Sequence, residues 1–311
     1  MEKLLAMAGL ALLMTVAPRA YAAEFDWTKV DQEIGKNGTM APGDVHKIGL
    51  PRTDLRVTLA GVELKPTFAL GSHLEFKMMG KSAMLMGDLV LTGDEVQPVM
   101  QTLTQGGVEI SALHNHLIGT DPAIFYMHVG GLGDPVKLAT TLHSALALTK
   151  TPLTSPSSSA SQGAIDLDTS AIDAVLRTHG AVAGGIYQFS IPRGDTIHQG
   201  GMTIPPAMGT AIAINFQPTG RSRAAITGDF VLLAHEVNPV LRALREHGIA
   251  VTALHNHMLD DDPHLFYMHF WAIDDAATLA RGLRAALDQV NTRRSTSALT
   301  RSDARAKPLP P

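Results

Sequence analysis

The sequence predicts an α+β fold built from two homologous domains, each a mainly antiparallel sheet with helices on one face. Two segments, Gly87–Val129 and Gly228–Phe270, align without a gap and are identical at 21 of 43 positions. Each segment places apolar residues at helical spacing between stretches that alternate as strands do. A stretch rich in Ser and Pro, at 151–163, separates the two copies and has the composition of a linker. The chain is therefore an internal duplication of one domain.

The repeated core is predicted to run strand, helix, strand, strand, helix. In the first copy a strand over Ala83–Leu91 leads into a helix whose apolar face extends from Val96 to Leu103. Two strands follow, and a second helix starts with Asp134 as its cap and Pro135 in its first turn. Helices on one face of such a sheet leave the other face free for a functional site.

Upstream of this core, each copy opens with a short amphipathic helix, predicted over Thr28–Lys36 and Thr169–Arg177. Short strands and turns follow. Arg52 follows Pro51 and Asp54 lies two residues further on, and the second copy repeats this pattern. We interpret it as a surface turn with a local ion pair, because Pro and Asp are both favoured in turns.

The first residues have the pattern of a secretory signal peptide. Lys3 precedes an apolar run over Leu4–Val16, and Ala20 and Ala22 form a small-x-small cleavage site. The apolar run is too short for a membrane span. We expect cleavage after Ala22, export to the periplasm or secretion beyond it, and no membrane anchor.

The chain accordingly divides into a signal peptide at 1–22, a first repeat at 24–150, a linker at 151–163, a second repeat at 164–290 and a tail at 291–311 that is predicted to be disordered. The formal net charge of −4 gives no electrostatic reason to expect a nucleic-acid partner. Since the chain has no cysteine, it cannot form a disulfide, a thiolate metal site or a cysteine-linked lipid anchor.

Each copy carries three histidines at the same spacing. His114 and His116 share one strand face because side chains alternate along a strand. If the next strand pairs so that His128 lies opposite His114 and Tyr126 opposite His116, all three imidazoles lie within cross-strand reach. The second copy repeats the pattern with His255, His257 and His269.

Three clustered imidazoles are typical of a site for a divalent transition metal, and zinc is the metal we favour. Single histidines on strands more often make structural hydrogen bonds. The repetition of the whole trio in both copies favours a metal or another polar ligand over that interpretation. The sequence thus predicts one three-histidine metal site in each repeat.

Glu95 and Glu236 precede the first core helix at equivalent positions. Either carboxylate could be a fourth metal ligand, or a catalytic general base acting on a metal-bound water. Either could equally be a favourable charge at a helix N-terminus. Both interpretations remain open at this point.

The second copy is predicted to be the stronger candidate for activity, because it has more ionisable groups around its trio. His235 is next to Glu236, and the following hairpin loop adds Asp260, Asp261 and His264. Such groups can orient metal ligands or transfer protons.

The stretches GDLVLTGDEVQPVM and ALHNHLIGTDPAIFYMH, with their second copies, resemble the exported bacterial family named for the mycobacterial lipoproteins LppY and LpqO. The resemblance covers nearly all of the chain after the leader. It implies export and a duplicated domain of unknown function, without implying a reaction. This chain lacks the cysteine that the lipoprotein members acylate, so membrane anchoring is not implied.

The sequence therefore predicts a periplasmic, duplicated metal-binding protein, with metal-dependent hydrolysis as the simplest reaction class if it is an enzyme. The chain shows no nucleophile motif, phosphate-binding glycine loop or dinucleotide fingerprint. The alternative is a non-catalytic metal carrier or a protein that binds a small ligand. The predicted partners are a metal ion and a small molecule.

Overall fold

The computed structural model describes residues 25–153 and 165–293, and each of these two ranges forms one α+β repeat. The predicted signal peptide and most of the predicted linker and tail lie outside the described residues. Within the two ranges, no helix is both long and apolar enough to cross a membrane.

The first repeat has a six-stranded sheet in the order β1-β2-β5-β6-β8-β7, and every neighbouring pair is antiparallel. Its strands are β1 Thr39–Ala41, β2 Val45–Pro51, β5 Gly71–Met79, β6 Ser82–Thr92, β7 Glu109–His114 and β8 Ile124–Gly133, with a separate hairpin of β3 Thr58–Leu59 and β4 Val62–Glu63. Its helices are α1 Thr28–Ile34, α2 Pro66–Ala69, α3 Gly93–Gln105 and α4 Pro135–Leu146.

The second repeat has the same kind of sheet, in the order β15-β17-β14-β13-β10-β9. Its strands are β9 Ala181–Ala183, β10 Ile186–Pro192, β13 Ala211–Gly220, β14 Arg223–Leu233, β15 Ala250–His255 and β17 Leu265–Asp275, with a small extra sheet of β11 Ile197–Gln199, β12 Met202–Ile204 and β16 Asp261–Asp262. Its helices are α5 Thr169–Leu176, α6 Ala234–Glu246 and α7 Ala276–Leu287, and an irregular turn spans Pro206–Thr210, with Gly209 in a left-handed conformation.

The core order strand, helix, strand, strand, helix is confirmed in both repeats. Asp134 caps α4 as predicted, since its carboxylate accepts the backbone N–H groups of Val136 and Lys137. The first helix is shorter than predicted and ends at Ile34, because Gly35 takes a left-handed conformation.

The helices of each repeat cover one face of its sheet. In the first repeat Leu74, Leu89 and Met127 point to that face and are buried against α1, α3 and α4. Because strand side chains alternate, the neighbouring positions His73, Asp88 and His128 point to the opposite, helix-free face.

The helix-free faces of the two repeats meet each other. Ser111 donates a hydrogen bond to the carbonyl of His257 at 2.5 Å, and Thr252 donates one to the carbonyl of His116 at 2.6 Å. Ser111 and Thr252 are equivalent in the two copies, so these reciprocal contacts indicate a pseudo-two-fold relation between the repeats. Any site on either helix-free face is therefore enclosed by both repeats.

Candidate metal centre

The strand pairing that carries the first trio differs from the predicted register. His114 lies opposite Tyr126, and Ala112 lies opposite His128, with an irregularity between Ile110 and Ala112. The prediction that His114 faces His128 is therefore wrong by two residues. The irregularity itself offsets the pairing of β7 by one residue, since Ile110 pairs with Val129 and Ala112 with His128. The two-residue difference from the predicted pairing is even, so His114 and His128 still share one face of the sheet.

His116 lies beyond the end of β7, and the predicted strand pairing does not reach it. Its ring nevertheless stacks on Tyr126, with ring centroids 3.4 Å apart. The second repeat reproduces this contact between His257 and Tyr267 at 3.5 Å. Tyr126 is anchored, since its hydroxyl donates to the carbonyl of Ala69 at 2.5 Å. The tyrosine thus fixes the ring of the histidine that the strand does not hold.

All six histidines lie in one cluster between the repeats. The close pairs, with the distance between ring centroids, are His114 with His255 (3.6 Å), His116 with His269 (3.7 Å) and His128 with His257 (3.8 Å). Every close pair joins one repeat to the other. The two predicted trios are therefore not far apart, because both lie on helix-free faces that cover each other. We call these six residues the histidine cluster.

The donor nitrogens of the histidine cluster are buried and free. The Nε2 atom of each of the six imidazoles is out of contact with solvent and has no hydrogen-bond partner among the described residues. His269 Nδ1 donates to the carbonyl of Gly228 at 2.9 Å, which leaves Nε2 as the nitrogen with the free lone pair. Buried polar atoms in proteins are nearly always paired, so this concentration of unpaired nitrogens is chemically suited to binding a ligand.

Two aspartates that we did not predict join the cluster. Asp88 lies opposite His128 in the sheet, and one of its oxygens is 3.5 Å from His116 Nε2. Asp229 is its equivalent in the second repeat, 3.4 Å from His257 Nε2. Both separations are longer than an ordinary hydrogen bond. In each carboxylate, Oδ1 is buried and has no hydrogen-bond partner in the described structure.

The donor atoms group into sets whose members lie within 4.8 Å of one another. The sets are Asp88, His116 and His128; Asp229, His257 and His269; His114, His116, His255 and His269; and His128, His255 and His257. Imidazole and carboxylate donors without thiolates suit zinc and other divalent transition metals. The residues present therefore fit the predicted type of ion.

Burial controls the protonation of the cluster. Loss of hydration lowers the pKa of all six imidazoles, to about 3 for His114 and about 4 for His255. The imidazoles are thus neutral at pH 7, which is the form that binds metals. The same burial raises the pKa of Asp88 to about 7 and that of Asp229 well above its usual value. A bound cation would favour the ionised carboxylates.

For Glu95 and Glu236, a metal-ligand or general-base role and a charge at a helix N-terminus were both open, and the contacts in the structure are those of the second. Both carboxylates bind a buried arginine: Glu95 contacts Arg52 Nη1 at 2.7 Å, and Glu236 contacts Arg193 Nη1 at 2.7 Å. Each glutamate also accepts a backbone N–H at the start of its helix. Neither belongs to a candidate metal-binding set among the described residues.

The Arg52 side chain does not lie on the surface, contrary to the sequence prediction. Its predicted ion pair with Asp54 is present at 2.9 Å, but the arginine is 0% exposed and no surface residue. The guanidinium is buried because it donates at once to Asp54, Glu95 and the carbonyl of Val90.

The additional ionisable groups of the second copy do not reach the cluster. His235 is exposed on α6. Asp261 is buried, but it accepts from the backbone N–H of Leu265 and pairs with His264 at 2.8 Å, which holds the hairpin loop. Asp260 is exposed. The structure thus gives these residues no role that favours the second copy.

The first copy instead adds polar groups beside the cluster. A cavity of about 320 Å³ opens there and is lined by both repeats. On its first-repeat side the buried Glu75 contacts Lys47 at 2.7 Å and His73 at 2.9 Å. His73 lies opposite Asp88 in the sheet. The equivalent wall in the second repeat carries Ala213 opposite Asp229, and Asn215 and Gln188 beyond it.

The chain was compared with known proteins. A family model described as "Domain of Unknown Function (DUF1259)" matches residues 28–148 and matches again at 170–289. No curated protein matches the chain. A solved trimeric bacterial microcompartment shell protein, PduB, aligns over 82% of this chain and 91% of its own at 12% identity. The TM-score is 0.21, so this alignment carries no argument about fold or function.

Proposed function

Because the chain belongs to the family described as Domain of Unknown Function (DUF1259) and contains two copies of its domain, we propose that it is a metal-binding protein with one composite site. The site is the histidine cluster with Asp88 and Asp229. The observation that carries this proposal is the burial, at one interface, of six imidazoles with unpartnered nitrogens and two carboxylates.

The cost of burying unpartnered polar atoms favours a metal site over a purely structural role for the cluster. Each buried polar atom without a partner costs roughly 1–3 kcal/mol. A fold that only needed to join two sheets would fill this space with apolar side chains, as it does elsewhere in the interface with Val57, Phe68 and Ile186. A divalent cation uses imidazole nitrogens and carboxylates together, and it offsets that cost.

The proposed location is the periplasm or the exterior of the cell. This rests on the N-terminal pattern of Lys3, the apolar run and the cleavage site at Ala22. The absence of cysteine suits a metal site outside the cytosol, because imidazole and carboxylate ligands are not lost to thiol oxidation. We also propose that the chain is related to the exported bacterial proteins named for LppY and LpqO.

We further propose metal-dependent hydrolysis of a small molecule. The cavity beside the cluster reaches His116, His257 and His269, so a bound ion would be accessible to a substrate on that side. The ion would supply an acidified water molecule. The chain's own residues would exclude bulk solvent and hold the ligand rings in place through the two stacked tyrosines.

A metal carrier is the second candidate. His128 and His269 are each only 3% exposed, and a closed set of donors around an ion is typical of storage or structural sites rather than catalysis. Hydrolysis of activated esters and phosphate esters by the metal-loaded protein, lost on chelation, would support the enzyme. A loaded protein with no turnover on either class would support the carrier.

The test of metal binding is elemental analysis of the full chain before and after chelation and reloading with zinc. We expect bound zinc in the wild type and strongly reduced zinc in His116→Ala and His257→Ala. The matched control is His235→Ala, which removes an exposed histidine of the same repeat as His257 and should keep the wild-type content. A wild type that retains no zinc, copper, iron or nickel would overturn the proposal.

A further inference from the structure

We propose that the cluster holds two metal ions, each bound by one aspartate and two histidines of a single repeat. The first set is Asp88, His116 and His128, and the second is Asp229, His257 and His269. This inference rests on the proposed metal-binding function and extends it to the number of ions and the ligands of each. We call the two groups the Asp88 set and the Asp229 set.

The two sets have the same composition and the same place in the fold. In each, the aspartate and one histidine face each other on neighbouring strands, Asp88 with His128 and Asp229 with His269. The other histidine follows the edge strand and lies 3.4–3.5 Å from a carboxylate oxygen. Two imidazoles and one carboxylate are an established ligand combination for zinc and for non-haem iron, and they leave coordination positions open.

Charge balance favours two ions over one. No lysine or arginine among the described residues forms an ion pair with Asp88 or Asp229. Both carboxylates are largely buried, with side-chain exposures of 8% and 15%. A single ion among the four central imidazoles would leave both carboxylates without a cation. One ion beside each carboxylate compensates both, and buried charges are stable only when they are compensated.

His114 and His255 are the two imidazoles that remain. They are equivalent in the two repeats and pack on each other, so they lie on the pseudo-two-fold axis between the sets. The His114 ring centroid is 4.9 Å from that of His116 and 5.0 Å from that of His128. Both nitrogens of His114 are buried without a partner in the described structure. It can therefore offer a nitrogen to the ion of the Asp88 set.

The alternative is a single ion bound by His114, His116, His255 and His269, which also lie within 4.8 Å of one another. The two arrangements differ in stoichiometry and in which residues are required. The single-ion arrangement needs His114 and neither aspartate. The two-ion arrangement needs both aspartates, while His114 only strengthens binding.

The experiment measures the metal-to-protein ratio of the full chain after chelation, reloading with Co²⁺ or Zn²⁺ and removal of free metal. We expect two ions in the wild type, one in Asp88→Asn, one in Asp229→Asn and none in the double variant. Asp260→Asn is the matched control, because it neutralises an exposed aspartate of the second repeat and should keep two ions. Circular dichroism establishes that each variant is folded.

The metal-to-protein ratio of the wild type is measured without any variant, so a variant that fails to fold does not affect this test. A ratio of one that persists in both Asp→Asn variants and is lost in His114→Ala would overturn the two-ion inference and leave metal binding intact. A wild type without metal would overturn metal binding itself. Cu²⁺ loading gives an independent readout, since two neighbouring ions should show a magnetically coupled spectrum and each single variant an uncoupled one.

Discussion

Among single residues, Glu236 fits two interpretations from its sequence position, a catalytic role and a structural one, and its contacts favour the structural role. Glu236 was open to a catalytic role, yet it accepts from Arg193, from the backbone of Leu233 and from the backbone of Asn291. Its partner arginine is 2% exposed. The carboxylate therefore compensates a buried positive charge and joins three separate segments of the second repeat.

Replacing Glu236 by alanine should destabilise the fold without removing the metal. The variant leaves a buried guanidinium without its main partner, a loss that typically costs about 3–5 kcal/mol. Glu246→Ala, an exposed position on the same helix, should change the free energy of unfolding by less than about 0.5 kcal/mol. Urea denaturation measures both. Loss of metal from a Glu236→Ala protein of normal stability would instead support the catalytic or ligand role.

The buried imidazoles also predict how stability depends on pH in the metal-free protein. In the folded chain their pKa values lie below the ordinary value of 6.5. Below that pH the imidazoles of the unfolded chain therefore bind protons that the buried imidazoles do not bind. The free energy of unfolding should fall as the pH is lowered from about 6.5, by up to about 1.4 kcal/mol per pH unit for each imidazole. Asp88, with its pKa raised to about 7, acts in the opposite direction between about pH 4 and 7. Six histidines outweigh two aspartates, so the net effect is a loss of stability in acid.

Urea denaturation of the chelated protein at pH 7 and pH 5 measures this effect. His269→Gln should weaken the pH dependence, because it removes one buried imidazole, while the exposed His235→Ala should leave it unchanged. Equal stability of the wild type at both pH values would show that the imidazoles are hydrated and titrate normally.

The six histidines could be found from the sequence because three of them recur at one spacing in each copy. Asp88 and Asp229 could not be found in the same way. Each is a single aspartate in a strand, and its chemical role depends on which strand becomes its neighbour. The one available signal was the Gly-Asp pair that opens both aligned segments, at Gly87 and Gly228.

At the scale of elements, hydrophobic periodicity predicted the order of strands and helices correctly, because that order follows from which side chains must be buried. The register in which neighbouring strands pair was harder to predict from the sequence. The irregularity between Ile110 and Ala112 shifts the pairing of β7 by one residue, and such a bulge has no clear sequence signal. For the same reason, the sequence did not predict that Lys47, His73 and Glu75 line the cavity beside the histidine cluster. Those residues come from β2 and β5, whose neighbours in the sheet could not be assigned from sequence.

At the scale of the whole molecule, the duplication was evident, but the way the two copies pack together was not. Each helix-free face could have been exposed to solvent as far as the sequence shows. The interface is built from scattered contacts such as Lys65 with Gln217 and Gly185, which have no local pattern. The joining of two trios into one cluster is therefore a property of the assembled molecule.

A metal at this interface should couple the unfolding of the two repeats. Because the histidines of each ligand set pack against histidines of the other copy, an ion bound to either set favours the native arrangement of both copies. At a free metal concentration of about 1,000 times Kd, each bound ion adds about 4 kcal/mol of stability, which corresponds to a rise in Tm of roughly 10 °C for each ion. We expect differential scanning calorimetry to show one transition that moves upward as a whole when zinc is added to the chelated chain. The double variant Asp88→Asn with Asp229→Asn should not respond. If calorimetry shows two transitions and zinc raises the temperature of only one of them, the metal stabilises one repeat alone. That result would contradict the predicted coupling of the two repeats.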